Sequence, residues 1–493
     1  MKNLALKYNL LLIILCLSSS LLSQNEEDAL RLSNLHFGGT ARYISVGGAF
    51  GSLGADISVL SINPAGMARF KKSEFSFSPN VILSSSNSYF DSTSNSAISG
   101  KENLNVGSFG IVGVSKNKSE NNSKWTSFQF GFSYNRLADF NEQFKLEGNG
   151  NYSMSHVFAL RSNGIPTQDL IDYDPFYGEL AYQTYITDFD SLSNNYQSIM
   201  NSQSIAHEQT TTRKGRVGEY SIAFSGNYNQ KFYVGGSIGL PKVHFEEEKR
   251  HTETEIKDSS EFEHSFTFNE YQLTTGNGIN GKIGIIFLPS NWLRFGIAYH
   301  TKTFYNLNDY WNTSMNSVIS NNEQYSHNSI DGNYNYKLST PSKLIASSSV
   351  IIAKKALISI DYTRVDHSAS ILKPNTFFGS NYNFEAENSA IDSNYRITNN
   401  IQIGTEIKIG SFYMIRAGFS SFQNPFSFDT DASYNKNSFS AGLGYRNKKY
   451  FIDFGARYST WKDNYYMYDS SIAPASRIDN TALNITVTCG FKW

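Results

Sequence analysis

The sequence predicts an all-β fold, a transmembrane antiparallel β-barrel of about 14 strands with an N-terminal plug in its lumen. Three observations lead to this prediction. The chain opens with an export signal, segments of about 10 residues alternate between apolar and polar side chains, and short and long polar connections follow one another in turn.

Residues 1–23 have the features of a secretory signal peptide. Lys2 and Lys7 supply positive charge, residues 9–17 form an apolar run, and residues 18–23 include small side chains suited to cleavage. A membrane-spanning helix needs roughly 20 apolar residues, so we expect cleavage before Gln24 rather than a retained anchor. Cys16 follows a leucine where lipoprotein signals carry a small residue, and lipidation is therefore not expected.

The composition excludes several classes of protein. Of 493 residues only 17% are charged and the net charge is −1, so the chain has no basic footprint for nucleic acid. A mean hydropathy of −0.38 excludes a bundle of apolar helices but permits a barrel, in which only alternate residues face lipid. Cys489 is the one cysteine after the signal, so no disulfide or cysteine-based metal site is expected.

Apolar and polar side chains alternate from residue 74 onward. In one segment Phe128 and Phe130 flank Gln129, and the same period continues to the end of the chain. A soluble β-sandwich also alternates, but in this sequence aromatic residues stand near the strand ends, where a barrel carries its interfacial girdles. These residues are Trp125, Tyr450, Tyr458 and Trp493.

The last predicted strand ends in aromatic residues. Phe491 and Trp493 flank Lys492, and this ending is similar to the C-terminal signal of bacterial outer-membrane barrels. We therefore expect the barrel assembly machinery and the lipid of the outer membrane as partners.

The connections alternate in length along the chain. Short links are expected at 229–230, 289–291, 353–355, 410–411 and 447–448, and long ones at 141–212, 306–332, 368–395, 423–435 and 462–480. Tight turns face the periplasm and long loops face outside in such barrels. The order predicts a multi-pass protein of the Gram-negative cell outer membrane.

These limits define 14 predicted strands. They lie at 73–89, 103–115, 124–140, 213–228, 231–255, 262–288, 291–305, 333–352, 355–367, 396–410, 411–422, 436–446, 449–461 and 481–493. The runs 231–255 and 262–288 are longer than the membrane requires, so we expect this hairpin to project outside.

Residues 24–72 are expected to form a plug, or hatch, before the barrel of residues 73–493. Residues 37–70 are rich in small side chains and lack strand alternation, yet Phe50, Leu53 and Leu60 need burial. A barrel of about 14 strands is too wide to be filled by its own side chains. Its lumen is the nearest place for these apolar residues.

The plug segment contains four short motifs. They are residues 38–42 (Gly-Gly-Thr-Ala-Arg), residues 47–50 (Gly-Gly-Ala-Phe), Asp56, and residues 63–66 (Asn-Pro-Ala-Gly), with the first strand directly after them. In these residues the segment resembles the hatch of the FadL/TodX family of outer-membrane transporters for long-chain fatty acids and other hydrophobic molecules. This version of the motif is similar to the one found in Bacteroidota.

The resemblance implies passive transport without catalysis or a cofactor. Extracellular loops capture a fatty-acid-like ligand, an apolar pocket holds it, and it leaves sideways into the membrane when the hatch moves beside a kink in the third strand. The resemblance implies gating roles for Phe50, Asp56, Asn63, Pro64, Ala65 and Gly66. Gly131, the single glycine in the predicted third strand, is the expected kink.

Other interpretations stay open at this point. The barrel could serve as a structural or secretion-system interaction component rather than as a transporter, whereas an enzyme is disfavoured because the sequence offers no nucleophile set. The apolar side chains of the 141–212 connection fit either a surface that covers the barrel mouth or holds a ligand, or a lid folded on itself.

Three histidines lie around one predicted external hairpin: His244, His251 and His264. We interpret them as solvated loop residues rather than as ligands of a metal or haem.

Five charged residues lie on predicted lumen faces: Asp361, Arg416, Asp453, Arg457 and Lys492. We interpret them as charges that keep the lumen wet rather than as residues that recognise a substrate.

Overall fold

The computed structural model describes residues 26–35, 38–90, 96–117, 123–200, 204–256, 264–319, 322–378 and 382–493. The predicted signal peptide and its cleavage site lie outside the described residues. Within those residues, no helix is both long enough and apolar enough to cross a bilayer.

The described residues form six short α-helices and 21 strands, numbered here in chain order. Helices α1 to α6 occupy Glu26–Ser33, Ala41–Ser45, Met154–Ser162, Leu170–Tyr173, Gly178–Gln183 and Glu385–Asn394. Strands β1 to β21 occupy Glu74–Tyr89, Ser96–Lys116, Trp125–Asp139, Glu142–Gly150, Thr187–Asp190, Asn195–Ser198, Ile205–Tyr228, Phe232–Glu255, Ser265–Phe287, Leu293–His300, Phe304–Ile319, Glu323–Asn328, Gly332–Ser339, Lys343–Ile352, Ala356–Asp366, Ile371–Pro374, Ile397–Ile409, Tyr413–Phe422, Lys436–Arg446, Tyr450–Tyr465 and Ser476–Lys492.

The main sheet closes on itself as a barrel. Strand β1 pairs antiparallel with β2 on one side and with β21 on the other, with Phe75 opposite Phe491. Five of the 19 segments in this sheet continue the segment before them after a short break, so the barrel has 14 strands. The predicted fold class and strand number are confirmed.

The polarity of the barrel wall is the reverse of that of a soluble protein. Phe128 and Phe130 of β3 are 50% and 48% exposed, while Gln129 between them is 3% exposed. Closed barrels in lipid place their apolar side chains outside in this way. The wall therefore carries an apolar outer surface, and the protein belongs in the Gram-negative outer membrane.

The short links close tight hairpins at one end of the barrel. Asn229 and Gln230 have φ of 53°, and Ala353 and Lys354 have φ of 50° and 58°, which is the geometry of type I′ turns. The predicted short links are confirmed, and this end is the periplasmic one by the usual rule for such barrels. The β8–β9 hairpin extends beyond the membrane as expected, with strands of 24 and 23 residues.

The predicted loop at 306–332 is wrong, because most of it is strand. Strand β11 pairs with β9 from Phe304 to Val318, and β12 and β13 pair with its other edge. Outside the membrane neither face of a strand must be apolar, so these strands lack the alternation that marks the others. The predicted third strand likewise continues beyond its expected end, as β4.

Residues 38–72 fill the periplasmic half of the lumen, and glycines of the wall make this close fit possible. A Cβ atom on any of these wall glycines would overlap plug atoms: Gly110, Gly131, Gly235, Gly284, Gly296, Gly404, Gly418, Gly442 and Gly455. The apolar plug residues Phe50, Leu60 and Met67 form one buried cluster with Val112 and Ala223 of the wall. The plug therefore packs directly on the inner wall.

The connection between β4 and β7 forms a folded lid at the extracellular end. Phe158, Leu180 and Ile186 of the lid pack against Phe266 of β9 and Met315 of β11. Of the two interpretations left open for this segment, the lid that packs on itself and on the strand extensions is the observed one.

The close fit predicts that two adjacent glycines of β8 will respond differently to substitution. A Cβ on Gly235 would lie 2.5 Å from the carbonyl group of Pro64, whereas a Cβ on Gly236 would meet nothing closer than 3.6 Å. We expect Gly235→Val to destabilise the plugged barrel by about 1–3 kcal/mol through overpacking, with raised ion leakage in planar bilayers. Gly236→Val is the matched control, and equal melting temperatures and conductances for the two variants would contradict the fit.

Candidate functional site

The plug backbone is held by a carboxylate of the wall. The backbone N–H groups of Phe50 and Gly51 both donate to Asp361 Oδ2, at 2.9 and 2.7 Å. Asp361 is 1% exposed, and hydrogen bonds to a buried charge are among the stronger ones in proteins. The expected hatch residue Phe50 is thus anchored through its backbone while its ring is buried in the plug core.

The Asn-Pro-Ala-Gly segment lies against β8 and β9. Asn63 Nδ2 donates to the carbonyl of Gly51 at 2.7 Å, and Asn63 Oδ1 accepts from the N–H of Ala65 at 3.2 Å. Pro64 begins the 3₁₀ helix Pro64–Arg69, and Ala65 packs beside Tyr233 of β8. The motif shapes a turn whose backbone fits closely against the wall.

Asp56 and Gly66 organise the plug from inside. Asp56 caps the 3₁₀ helix Ile57–Ser61 through the N–H of Ser58, and its carboxylate accepts from Thr40 Oγ1 at 2.9 Å. The carbonyl of Gly66 accepts from the N–H of Ala55 at 3.0 Å. The structure therefore brings the expected hatch residues together in the plug, where their contacts hold it in shape and hold it to the wall.

A buried ionic network joins the plug to strands β17, β18 and β20. Arg42 of the plug donates to Glu406 at 2.8 Å, and Arg416 donates to Glu406 at 2.6 Å and to Asp453 at 2.8 Å. Arg416 and Asp453 are 1% and 0% exposed. The expectation that Asp361, Arg416 and Asp453 keep the lumen wet is wrong, because these side chains are buried. Asp361 binds the plug directly, whereas Arg416 and Asp453 support Glu406, which binds Arg42 of the plug.

A cavity of about 1180 Å³ lies between the plug and the long loops. Its floor includes Gly38, Gly39 and Ile44 of the plug, and Leu30 and Arg31 of α1 form part of its side. Aromatic side chains contribute much of the remaining lining, including Phe140, Phe144, Phe422, Phe426, Trp461 and Tyr466. The Asn-Pro-Ala-Gly residues do not line this cavity.

Helix α1 is held at the side of the cavity by an ion pair, a cation–π contact and a hydrogen bond. Arg31 pairs with Asp28 and stacks over the ring of Phe245, with its Cζ 3.8 Å from the ring centroid. Tyr336 of the wall donates to Asp28 at 3.2 Å. Burial raises the pKa of the Asp28 carboxyl above its ordinary value, while Arg31 opposes this rise.

The barrel ladder is incomplete between β2 and β3. The pairing between these strands runs from Lys116 opposite Ser127 to Ser108 opposite Asn135. Beyond Asn135, in the described residues, β3 and β4 pair with β7 alone, while β2 continues along β1. The ladder is therefore open between β2 and the extracellular part of the third strand, although Cα atoms of β2 and β4 still approach within 8 Å of each other.

The irregularity of the third strand is not at Gly131, which corrects the sequence-based expectation. Gly131 lies in regular pairing with Val112 and Ala223 and leaves room for Met67 of the plug. The register instead shifts between Arg136 and Ala138, so the residue between them, Leu137, is the extra residue of a β-bulge. Leu137 packs against the apolar cluster around α1.

A glycine of the neighbouring strand permits the break that follows the bulge. Gly215 of β7 has φ of 129°, a conformation that strains other residues. Its carbonyl accepts from the N–H of Phe140 at 3.1 Å and from Asn141 Nδ2 at 3.3 Å. The two residues between β3 and β4 thus bind to Gly215, and sequence analysis of the third strand alone could not identify it.

Plug and side-chain contacts span the opening between β2 and β3. The carbonyl of Arg136 accepts from the N–H of Gly38 at 3.2 Å. Asn103 of β2 donates to Asp139 of β3 at 2.7 Å, and Lys101 Nζ donates to the carbonyl of Arg213 at 2.9 Å. The sequence pattern did not predict this seam, because the isolated polar residues of β2 look like those at any extracellular strand end.

The solvated interpretation of the loop histidines is wrong for one of the three. His251 is 3% exposed and lies 2.8 Å from Glu253, whereas the side chain of His244 is 44% exposed.

The buried position of Asn63 predicts a measurable effect of its removal. We expect Asn63→Ala to cost about 1–3 kcal/mol, because it leaves the carbonyl of Gly51 and the N–H of Ala65 without these partners. The measurements are thermal unfolding and single-channel conductance, which rises if the plug loosens. Asn316→Ala, at an exposed position of β11, is the matched control, and an unchanged Asn63→Ala barrel would contradict the anchoring role.

Comparison with solved structures identifies the fold, although no family model and no curated protein matches the sequence. The chain is similar to the toluene transporter TodX of Pseudomonas putida, with 14% identity, a TM-score of 0.53 and coverage of 92% of this chain and 98% of TodX. A Pseudomonas aeruginosa FadL homologue gives the same four values. A TodX variant described as a monoaromatic hydrocarbon channel has 13% identity, a TM-score of 0.55 and coverage of 92% and 99%. The chain therefore has the fold of the FadL/TodX outer-membrane channels, as its plug motif predicted.

Proposed function

We propose that this protein is a passive outer-membrane channel for hydrophobic molecules such as long-chain fatty acids. The extracellular loops capture the molecule, the cavity above the plug holds it, and movement of the hatch releases it sideways into the membrane through the opening between β2 and β3. The solved structures of similar fold are described as a toluene transporter and a hydrocarbon channel, which supports this class of solute.

The observation that carries the proposal is the continuity of the cavity with the opening. Gly107 of β2 and Arg136 and Asp139 of β3 line the cavity, and the same stretch is where β3 leaves β2. Gly38, whose N–H binds the carbonyl of Arg136, also lines the cavity floor. A molecule in the cavity is thus in contact with both the seam and the plug segment that covers it.

The cavity lining suits an amphipathic molecule. Phe140, Phe144 and Phe422 offer apolar surface, and charged side chains of both signs, such as Lys436 and Asp463, line the same cavity. Ligand sites of this kind combine a mostly apolar surface with a few polar groups that fix orientation. An apolar chain with a polar head is therefore a suitable ligand.

Release sideways through the wall breaks fewer contacts than release along the barrel axis past the plug. Axial passage requires the plug to leave its glycine-lined seat and the Asp361 and Glu406 anchors. Sideways passage requires separation of the Gly38 bond and of side-chain bridges such as the one from Asn103 to Asp139. An apolar solute also gains by entering lipid directly rather than the aqueous periplasm.

The remaining partner proposals concern assembly and location. Phe491 and Trp493 are 52% and 53% exposed at the end of β21, where the assembly machinery of the outer membrane could bind the last strand. The alternative role, a structural or secretion-system component, predicts no movement of solute through the seam.

Tethering the two sides of the opening should stop transport. In a Cys489→Ser background, we expect Asn103→Cys with Asp139→Cys, joined by a short reducible bis-thiosulfonate reagent, to lower uptake of a fluorescent fatty acid into loaded proteoliposomes to the background of empty vesicles. Reduction should restore uptake, because it frees the seam.

A second tethered pair provides the control for this experiment. Ser421→Cys with Asn437→Cys joins β18 and β19, where Ser421 Oγ donates to Asn437 Oδ1 at 2.7 Å across a regular ladder and neither residue lines the cavity. This tether should leave uptake unchanged. Full uptake by the tethered 103–139 barrel would exclude exit at this opening, and no uptake by the untethered barrel would favour the structural role.

A further inference from the structure

Three buried side chains from distant parts of the sequence meet where β7 and β8 extend beyond the membrane. His207 of β7 is the direct cross-strand partner of Glu253 of β8, and His251 precedes Glu253 by two residues, so all three project from the same face. They are 2%, 0% and 3% exposed for His207, Glu253 and His251 respectively. Lid and loop residues cover this group.

The distances between their ligand atoms suit a metal ion. His207 Nδ1 lies 3.4 Å and His251 Nε2 lies 2.8 Å from Glu253 Oε1, and one potential ligand atom from each residue lies within 4.8 Å of the others. Zinc binds histidine nitrogen and carboxylate oxygen at about 2.0–2.2 Å, so tetrahedral ligands stand about 3.3 Å apart. Both separations from Glu253 Oε1 lie within about 0.5 Å of this value.

The histidines have spare donor capacity that the rest of the protein does not use. Nε2 of His207 and Nδ1 of His251 have no hydrogen-bond partner among the described residues. Such groups are rare in a protein interior, because burial removes them from water without compensation. Ion pairs of both histidines with Glu253 still leave these two ring nitrogens unused.

We propose that His207, His251 and Glu253 form a binding site for a divalent transition metal of the zinc type. Two imidazoles and one carboxylate are a recognised zinc ligand set, and they leave a fourth position for a small ligand such as water. Imidazole also suits copper and nickel, so competition among metals belongs to the test. None of the three ligand residues lines the cavity of the proposed transport route.

The residues around His207, His251 and Glu253 determine which parts of the protein a bound metal would stabilise. The rings of Phe90 and Tyr152 lie 5.4 and 5.0 Å from the ring of His207, and Tyr468 lies 5.6 Å from the ring of His251. Glu253 accepts from the N–H of Met154 at 2.8 Å, at the start of α3. A bound ion fixes side chains that touch three extracellular connections, and it stabilises the lid over the barrel mouth.

The test is metal binding by the purified full-length barrel after chelator treatment. We expect Zn²⁺ titration to show one saturable site per barrel, and Co²⁺ to give the visible absorption of a tetrahedral complex with nitrogen and oxygen ligands. Because the ligands bind in their deprotonated forms, affinity should fall as the pH is lowered.

Three variants separate the site from surface binding and from misfolding. His207→Phe retains an aromatic ring among Phe90 and Tyr152, and we expect it and His251→Ala to weaken Zn²⁺ binding at least tenfold while the barrel keeps its heat-modifiable mobility in gels. His244→Ala, at an exposed histidine of β8, should bind as the unmodified protein does. Absence of a stoichiometric site in the unmodified barrel, or equal affinity in His207→Phe, would overturn the proposal.

Discussion

The structure depends on the close contact between the plug backbone and the glycines of the inner wall. At positions such as Gly235, Gly404 and Gly418 the wall has no side chain, so the plug lies directly on the strand backbone. This leaves no room for water between plug and wall at these positions and brings backbone N–H groups within reach of Asp361. Packing at this density tolerates little added volume, so the plug is held firmly in the periplasmic half of the lumen.

Closure at the periplasmic end determines where the barrel can open. Among the described residues, the long strands β2 and β3 are paired over only part of their length, and the outer part of the third strand pairs with β7 alone. Backbone ladders are cooperative and satisfy every polar group in lipid, whereas this seam is spanned by a plug N–H and a few side chains. The cavity, the bulge at Leu137 and the plug segment at Gly38 all meet at the seam.

Most of the barrel could be predicted from the sequence because lipid imposes a period of two on each strand. Phe128 and Gln129 show that period, and turns such as Asn229–Gln230 end the strands sharply. The prediction failed at 306–332, where strands outside the membrane carry no apolar face. It also misassigned Asp361, because its partners in the plug lie more than 300 residues away in the chain and no spacing in the sequence reveals them. Arg416 was misassigned because its partners, Glu406 and Asp453, lie on neighbouring strands of the wall.

The kink shows why a site made by two strands is hard to identify from either one. Gly131 was the visible candidate because the third strand contains a single glycine, yet it accommodates Met67 of the plug. The conformational freedom is supplied by Gly215 on the adjacent strand, opposite the break, and Leu137 supplies the extra residue. The same limitation hid the pairing of His207 with Glu253, because register, and not local composition, brings them together. In this barrel, therefore, the strand register determines which residues meet at a functional site, and residue identity alone does not reveal it.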